Sequence, residues 1–158
     1  GVKEVRKYVK FFNQKMVTGI VVVDSDKDGK TEKKHIIQNN PSFKGTTFEL
    51  KDLVNLDKDD LTIEDLLPVN ILIDEATKLY GHTFSVPNET TILKHLKKEK
   101  KEKGIHEDYK FDELKRIVTA RILEEIKGKN INELKQIYPD YTSFLISLHE
   151  KIKEIQGN

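Results

Sequence analysis

GIVVVDSDKDGK, Gly19 to Lys30, decides how the chain is read. Ile20 to Val23 form a continuous β-branched run, the pattern of a strand covered on both faces in a parallel sheet. Asp24, Asp26 and Asp28 then gather like charges where that strand ends. Such a cluster costs stability unless a cation, hydrogen-bond donors or open water offsets the repulsion. In open parallel sheets ligands sit beyond the carboxyl ends of the strands. Asp24 and Asp26 are therefore candidate hard-oxygen ligands for Mg²⁺ or Mn²⁺, with Asp28 a weaker candidate and Gly29 permitting a sharp exit into the next helix. A solvated, aspartate-rich turn satisfies the same spacing. A calcium loop does not: counted from Asp24, the twelfth position is His35 instead of glutamate, and a strand stands where an EF-hand has a helix.

Working outward, Val5, Tyr8, Val9 and Phe12 recur at helical spacing, so residues 3 to 14 read as an amphipathic helix feeding the strand. Beyond Lys30 a polar crossover leads past Pro41 and Gly45 to a second strand at TTFEL, Thr46 to Leu50. Helix, strand, crossover and strand in this order predict α/β architecture. Thr62 with Asp65 has capping-box spacing, Pro68 interrupts or kinks that helix, and Val69, Leu72, Ile73, Ala76 and Leu79 mark a second helix ending near Gly81. From an N-cap candidate at Asn88 the reading is helical. Phe111, Leu114, Val118 and Ile122 form one stripe, Asn130 with Glu133 starts a short helix ended by Pro139, and Tyr141 to Ile155 carry the last. The expected organisation is an α/β region over 1–87 and an α-helical C-terminal region over 88–158.

The 158 residues suffice for one domain with a buried core. Lys and Arg number 28 against 27 Asp and Glu, so nucleic-acid binding would need a local basic face or a metal bridge, not a global field. The basic candidates are the Lys94–Lys103 run, Lys110, Lys115, Arg116 and Arg121, although interspersed glutamates favour self-pairing. No cysteine is present, which excludes disulfides and thiolate metal sites and fits a reducing, cytoplasmic setting. No apolar run approaches a membrane span. The opening on Gly1, two residues from a helical pattern, reads as the start of an excised fragment.

A hydrophobic strand ending in DSDKDG, with IEDLLP (Ile63 to Pro68) some forty residues later, resembles the Toprim domain of the OLD (overcoming lysogenization defect) family of ATP-dependent endonucleases. D-x-D is shared by Toprim proteins generally, and IED-L-L-P is more characteristic of the OLD branch. The likeness covers about residues 3 to 80. It implies a partial Toprim-like parallel sheet with flanking helices, and a two-metal hydrolase that cleaves DNA. Asp24 and Asp26 would hold one divalent ion, and Glu64 would help hold a second. A lysine would stabilise developing charge, with Lys115 the first candidate and Lys110 and Lys94 the others. Two such ions, roughly 3.5–4 Å apart, activate water and stabilise the leaving oxygen of a phosphodiester.

Two departures qualify the likeness. Toprim domains carry a glutamate on an earlier strand, and nothing before Asp24 fits, since Glu4 lies in a lysine-rich helical pattern; either the chain starts downstream of that first strand or it is a degenerate Toprim with no such group. No G-x-x-x-x-G-K-[ST] element is present either, so the family's N-terminal ATPase is absent. The implied endonuclease activity would belong to the full-length protein, with this portion inactive alone, and a homodimer is left open. The alternative is a non-catalytic Toprim-like domain that binds metal or nucleic acid in a regulatory role. D-x-D-x-D-G also occurs in type II topoisomerases, where His35-Ile36 is a loose echo without further support.

Overall fold

Val21–Val23 forms β1 and Thr47–Glu49 forms β2, paired in parallel with Val21 opposite Thr47, Val22 opposite Phe48 and Val23 opposite Glu49. They make one two-stranded sheet, and the fold is mixed α/β and mostly helical. The computed structural model describes residues 2–106 and 110–157. It divides into two compact units, one of residues 1–63 with 143–158 and the other of residues 64–142.

In the first unit the crossover between the strands is α2, Lys27–Asn39, and α1, Val2–Gln14, precedes β1. The apolar stripe of α1 puts Val9, with Val5 and Phe12 beside it, against Val21, Val23, Ile36 and Phe43. This is the packing the helix-then-strand pattern predicts. The run of β-branched residues is nevertheless buried on one side only: Val21 and Val23 are enclosed, while Val22 is half-buried and lines a cleft. With two strands in the sheet, the strand is not enclosed on both faces as a central strand would be. Helix α1 ends with the Met16 N–H donating to the Asn13 carbonyl and the Val17 N–H to the Phe12 carbonyl, a Schellman arrangement whose left-handed position is held by Met16 at φ 52° instead of glycine.

The second unit is helical. It contains α3 (Val69–Tyr80), α4 (Ile92–Glu102), α5 (Lys110–Ile126) and α6 (Ile131–Ile137). The unit boundary falls within α7, Pro139–Gln156. Leu72, Ala76, Leu96, Leu114, Val118 and Tyr138 form its centre, each at most 4% exposed. Gly81 closes α3 at φ 70°, and Asn130 with Glu133 makes the expected capping box on α6. Pro139 opens α7 as well as ending α6, a first-turn position where its missing N–H costs nothing.

Two capping expectations change. Helix α4 begins at Ile92 under Thr91, whose hydroxyl accepts the Lys94 N–H, not at Asn88. Ile63–Leu66 is a 3₁₀ turn in place of the expected helix start, and Asp65 accepts the Ile92 N–H at 2.8 Å, reaching the first turn of a helix distant in sequence. No helix among the described residues is long and apolar enough to cross a membrane.

Candidate functional site

The three aspartates of DSDKDG take three different places at the end of β1. Asp24 comes directly after the strand and is exposed, with its Oδ1 accepting the Ile63 N–H at 3.2 Å. Asp26 is the N-cap of α2, its Oδ1 accepting the Gly29 N–H at 2.9 Å. Asp28 lies in the first turn of α2, where a negative charge meets the positive end of the helix dipole. Amide donors and the helix terminus thus offset part of the repulsion that the sequence raises. All three aspartates line one cleft of about 500 Å³, with Val22, Val23 and Ile63 among its walls.

Two small residues fix this geometry. Ser25, between the aspartates, is fully buried. Its N–H donates to the Leu61 carbonyl at 2.7 Å, and its Oγ accepts the Lys51 N–H at 2.8 Å, so the turn is stapled to two other segments. Gly29 is not at a sharp exit, as the sequence suggested, but is the third residue of α2, within its first turn. A Cβ there would stand 1.9 Å from the Asp24 carbonyl oxygen, so the helix abuts the strand end through the missing side chain. A small polar residue flanked by acids and a glycine three positions after a cap were the available signals for both.

Glu32, also lining the cleft, is 2% exposed and receives the Arg6 guanidinium on both carboxylate oxygens, at 2.6 to 3.1 Å. This bidentate pair satisfies a buried charge that would otherwise be costly. It also holds the Arg6 guanidinium above its ordinary pKa. Neither residue was singled out from the sequence, because an Arg and a Glu 26 positions apart carry no local signature.

In the second unit, Glu64 and Lys115 form a salt bridge, Oε1 to Nζ, at 2.7 Å. The structure therefore brings together the two residues to which the resemblance gives roles, although as each other's counter-ion. Glu4, the only glutamate before Asp24 in the sequence, pairs with Lys7 on the surface of α1, as a solvated helix face would. Among the described residues, no three His, Asp or Glu side chains are gathered as a metal-binding group.

The basic residues separate by environment. Arg121 is committed to carboxylates, 2.8 Å from Glu75 and from Glu125 and 4.0 Å from Asp74. Arg116 is exposed, as is Lys94 near the start of α4. The Lys110 side chain lies outside the described residues.

Arg121 belongs to a network that ties α5 to α3 and to Tyr138. Bonds from Lys78 and Arg121 hold Glu75 below the usual carboxylate range, and the Tyr138 hydroxyl and Arg121 do the same for Glu125. Burial first, and the bond to Glu125 next, push the Tyr138 phenol up to about 12. Comparison with protein-family models, with curated proteins and with solved structures finds no match to this chain.

Proposed function

We propose that Asp24 and Asp26 hold a hydrated divalent cation, Mg²⁺ or Mn²⁺, and that the chain is the Toprim-like portion of a metal-dependent phosphodiesterase acting on DNA. The observation that carries the reading is the placement of both carboxylates in one cleft at the carboxyl end of a parallel strand, each pinned through Oδ1 by a backbone amide. Pinning fixes the side chains before any ligand arrives, which reduces the ordering cost of binding. The donor set is hard oxygen throughout. Mg²⁺ gives up its waters reluctantly and is commonly held by one or two carboxylates with water and substrate phosphates completing its shell, so two aspartates fit it where a calcium cage would need six to eight oxygens. An ion held there would supply Lewis-acid stabilisation of phosphoryl oxygen charge.

The chain's own residues set the terms. Asp26 caps α2 through one oxygen and lines the cleft, Asp28 adds negative charge there, and the buried Glu32 carboxylate, also in the lining, is neutralised by Arg6. The resemblance extends the roles to Glu64, as a carboxylate for a second ion, and to Lys115, for developing charge. Their mutual salt bridge at 2.7 Å would have to open or be shared. That observation, with Glu4 spent on Lys7, favours a second reading: a non-catalytic domain that binds one metal ion or nucleic acid without cutting.

Manganese binding monitored by electron paramagnetic resonance on the 158-residue chain tests the site. Asp26→Asn keeps a cap acceptor while removing the charge, and it is expected to abolish the bound-Mn²⁺ signal; unchanged binding would refute the assignment. Plasmid cleavage by the full-length protein then separates the two readings. Cleavage lost on Asp26→Asn supports the nuclease, and a metal-binding protein that never cuts supports the second.

A further inference from the structure

Helix α1 carries a second set of apolar side chains besides those it buries. Val5, Val9 and Phe12 pack into the core, and Tyr8, which the spacing groups with them, does not: it is 62% exposed, and Phe11 is 51% exposed. Three positions apart, Tyr8 and Phe11 are neighbours on the helix surface. Phe11 also meets Phe12 in a T-shaped contact, 5.8 Å between ring centroids at 62°, so it is braced by a residue packed on the core. Single exposed apolar residues are ordinary; two rings side by side form a patch for which the packing of α1 gives no reason.

The charges around these rings are lysines. Lys7 and Lys15 lie four positions to either side of Phe11, the Lys15 N–H continuing the last turn to the Phe11 carbonyl at 3.0 Å, and Lys10 neighbours Lys7. Glu4 is the one acid in residues 1–18 and pairs with Lys7 at 2.8 Å, while Arg6 is matched by the buried Glu32. Lys10 and Lys15 are exposed and have no ion-pair partner among the described residues. Outside those residues, the segment before Glu4 adds Lys3 and no acid, and Asn158 adds at most one carboxylate. The excess of positive charge around Tyr8 and Phe11 therefore stands wherever those residues lie.

We infer that the outer face of α1 binds single-stranded nucleic acid, with bases stacking on Tyr8 and Phe11 and phosphates meeting Lys7, Lys10 and Lys15. Every base has a π-face, so aromatic platforms with basic neighbours take single strands with little regard to sequence. A duplex keeps those faces inside its own stack. Lys7 takes part despite Glu4, because an exposed pair three residues apart holds it only weakly. An anionic membrane is less well served: interfacial helices immerse a broad apolar face, and that of α1 is already buried against Val21, Val23 and Ile36. The inference deepens the nucleic-acid reading above and rests on it only for the choice of DNA; neither the aspartates nor a metal ion enters it.

Fluorescence anisotropy of a labelled oligothymidylate with the 158-residue chain, across a salt series in EDTA, tests it. Tyr8→Leu and Phe11→Leu keep apolar area and remove the ring. Each is expected to weaken binding by about fivefold or more, and an abasic oligomer of the same length should bind the unaltered chain less tightly by at least as much. Lys10→Gln with Lys15→Gln is expected to flatten the salt dependence by about 1.4 log units per log unit, two phosphate contacts at ~0.7 each. Lys127→Gln with Lys135→Gln removes as much charge from exposed positions of the second unit and should change affinity by less than about twofold. Affinity unchanged by both leucine variants, equal effects of the two lysine pairs, or absence of binding at low salt would each overturn the proposal. Tighter binding to polyglutamate, or to vesicles of equimolar phosphatidylserine and phosphatidylcholine, than to the oligonucleotide would do the same. If Phe11→Leu loses helical circular dichroism, Tyr8→Leu alone carries the comparison. EDTA removes divalent ions, so failure here and failure of metal binding at Asp26 are separate results.

Discussion

Gly29→Ala reverses the sign that helix propensity assigns to it. In a helix, alanine is favoured over glycine by roughly 0.5–1 kcal/mol, so on local grounds the substitution stabilises α2. The structure points the other way. The added carbon would sit 1.9 Å from the Asp24 carbonyl oxygen and 2.7 Å from the carbonyl carbon, both backbone atoms that no rotamer change can move. Strand end and helix start would have to part by more than 1 Å to reach the 3.0 Å floor for such contacts. That displacement pulls on the Asp26 cap at 2.9 Å and on the two buried bonds of Ser25, at 2.7 and 2.8 Å. Overpacking of this kind costs about 1–3 kcal/mol, and a buried hydrogen bond left broken costs ~1–3 more. After the alanine gain is subtracted, a net loss of about 1–5 kcal/mol, centred on ~3, is expected. Urea unfolding monitored by far-ultraviolet circular dichroism should show the midpoint falling by ~1 M or more at a typical slope. Gly45→Ala, where an added Cβ meets nothing within 4 Å, is the control and should leave stability within about 0.5 kcal/mol of wild type. A Gly29→Ala midpoint equal to or above wild type would refute the close approach. The same variant should also weaken Mn²⁺ binding, although it removes no carboxylate.

Two further outcomes rest on local features. Met16→Gly should raise the melting temperature by ~2–4 °C in thermal unfolding, because the left-handed conformation penalises a side chain by about 1 kcal/mol and Met16, 96% exposed, surrenders almost no packing; an unchanged or lower value would remove the strain argument. Tyr138, with its phenol raised to about 12, supplies stability that is fully present below pH ~10 and is lost as pH rises toward 12, since the unfolded phenol ionises first. The loss in denaturant midpoint between pH 10 and 12 should therefore be smaller in Tyr138→Phe than in wild type, and equal slopes would refute it.

What the sequence made legible was what local rules govern. The apolar stripe of α1, the β-branched run at β1, the paired caps on α6 and the glycine closing α3 all arise from periods and termini that a few adjacent residues define. The order of elements then yields a mixed α/β chain, though the wider Toprim-like sheet rests on resemblance alone. Pairings that depend on how distant segments meet were not legible. Nothing local shows that Asp65, read as the third residue of a cap, accepts the Ile92 N–H of a helix 27 positions on. Arg6 and Glu32, or Glu125 and Tyr138, lie too far apart for any pattern to join them. The charge run of α4 is legible only in part: counted in sequence it cancels, and only the helix shows that Glu99 lies beside His95 and Lys103 and Glu102 beside Lys98.

DSDKDG raised a choice between a metal-holding cluster and a bland aspartate turn, and the structure shows why those readings are not exclusive. Asp26 does what a turn aspartate does, capping α2 through one oxygen. A carboxylate has a second oxygen, and capping restricts where it can go. Asp24 is held likewise by the Ile63 amide, and Ser25 and Gly29 keep the two segments together beneath them. A turn that needed only a cap would be satisfied by one aspartate, and an adjacent acid would cost stability through repulsion. The turn retains Asp24 and Asp28 as well, each in the same cleft as the cap. Local structural duty accounts for Asp26 and, through the helix dipole, for part of Asp28. Asp24 accepts the Ile63 amide, and asparagine keeps an acceptor there while removing the charge, so Asp24→Asn is a substitution at which a purely structural turn and a cation site diverge. In a structural turn the substitution leaves Mn²⁺ retention at its background level; at a cation site it weakens the hold on the ion.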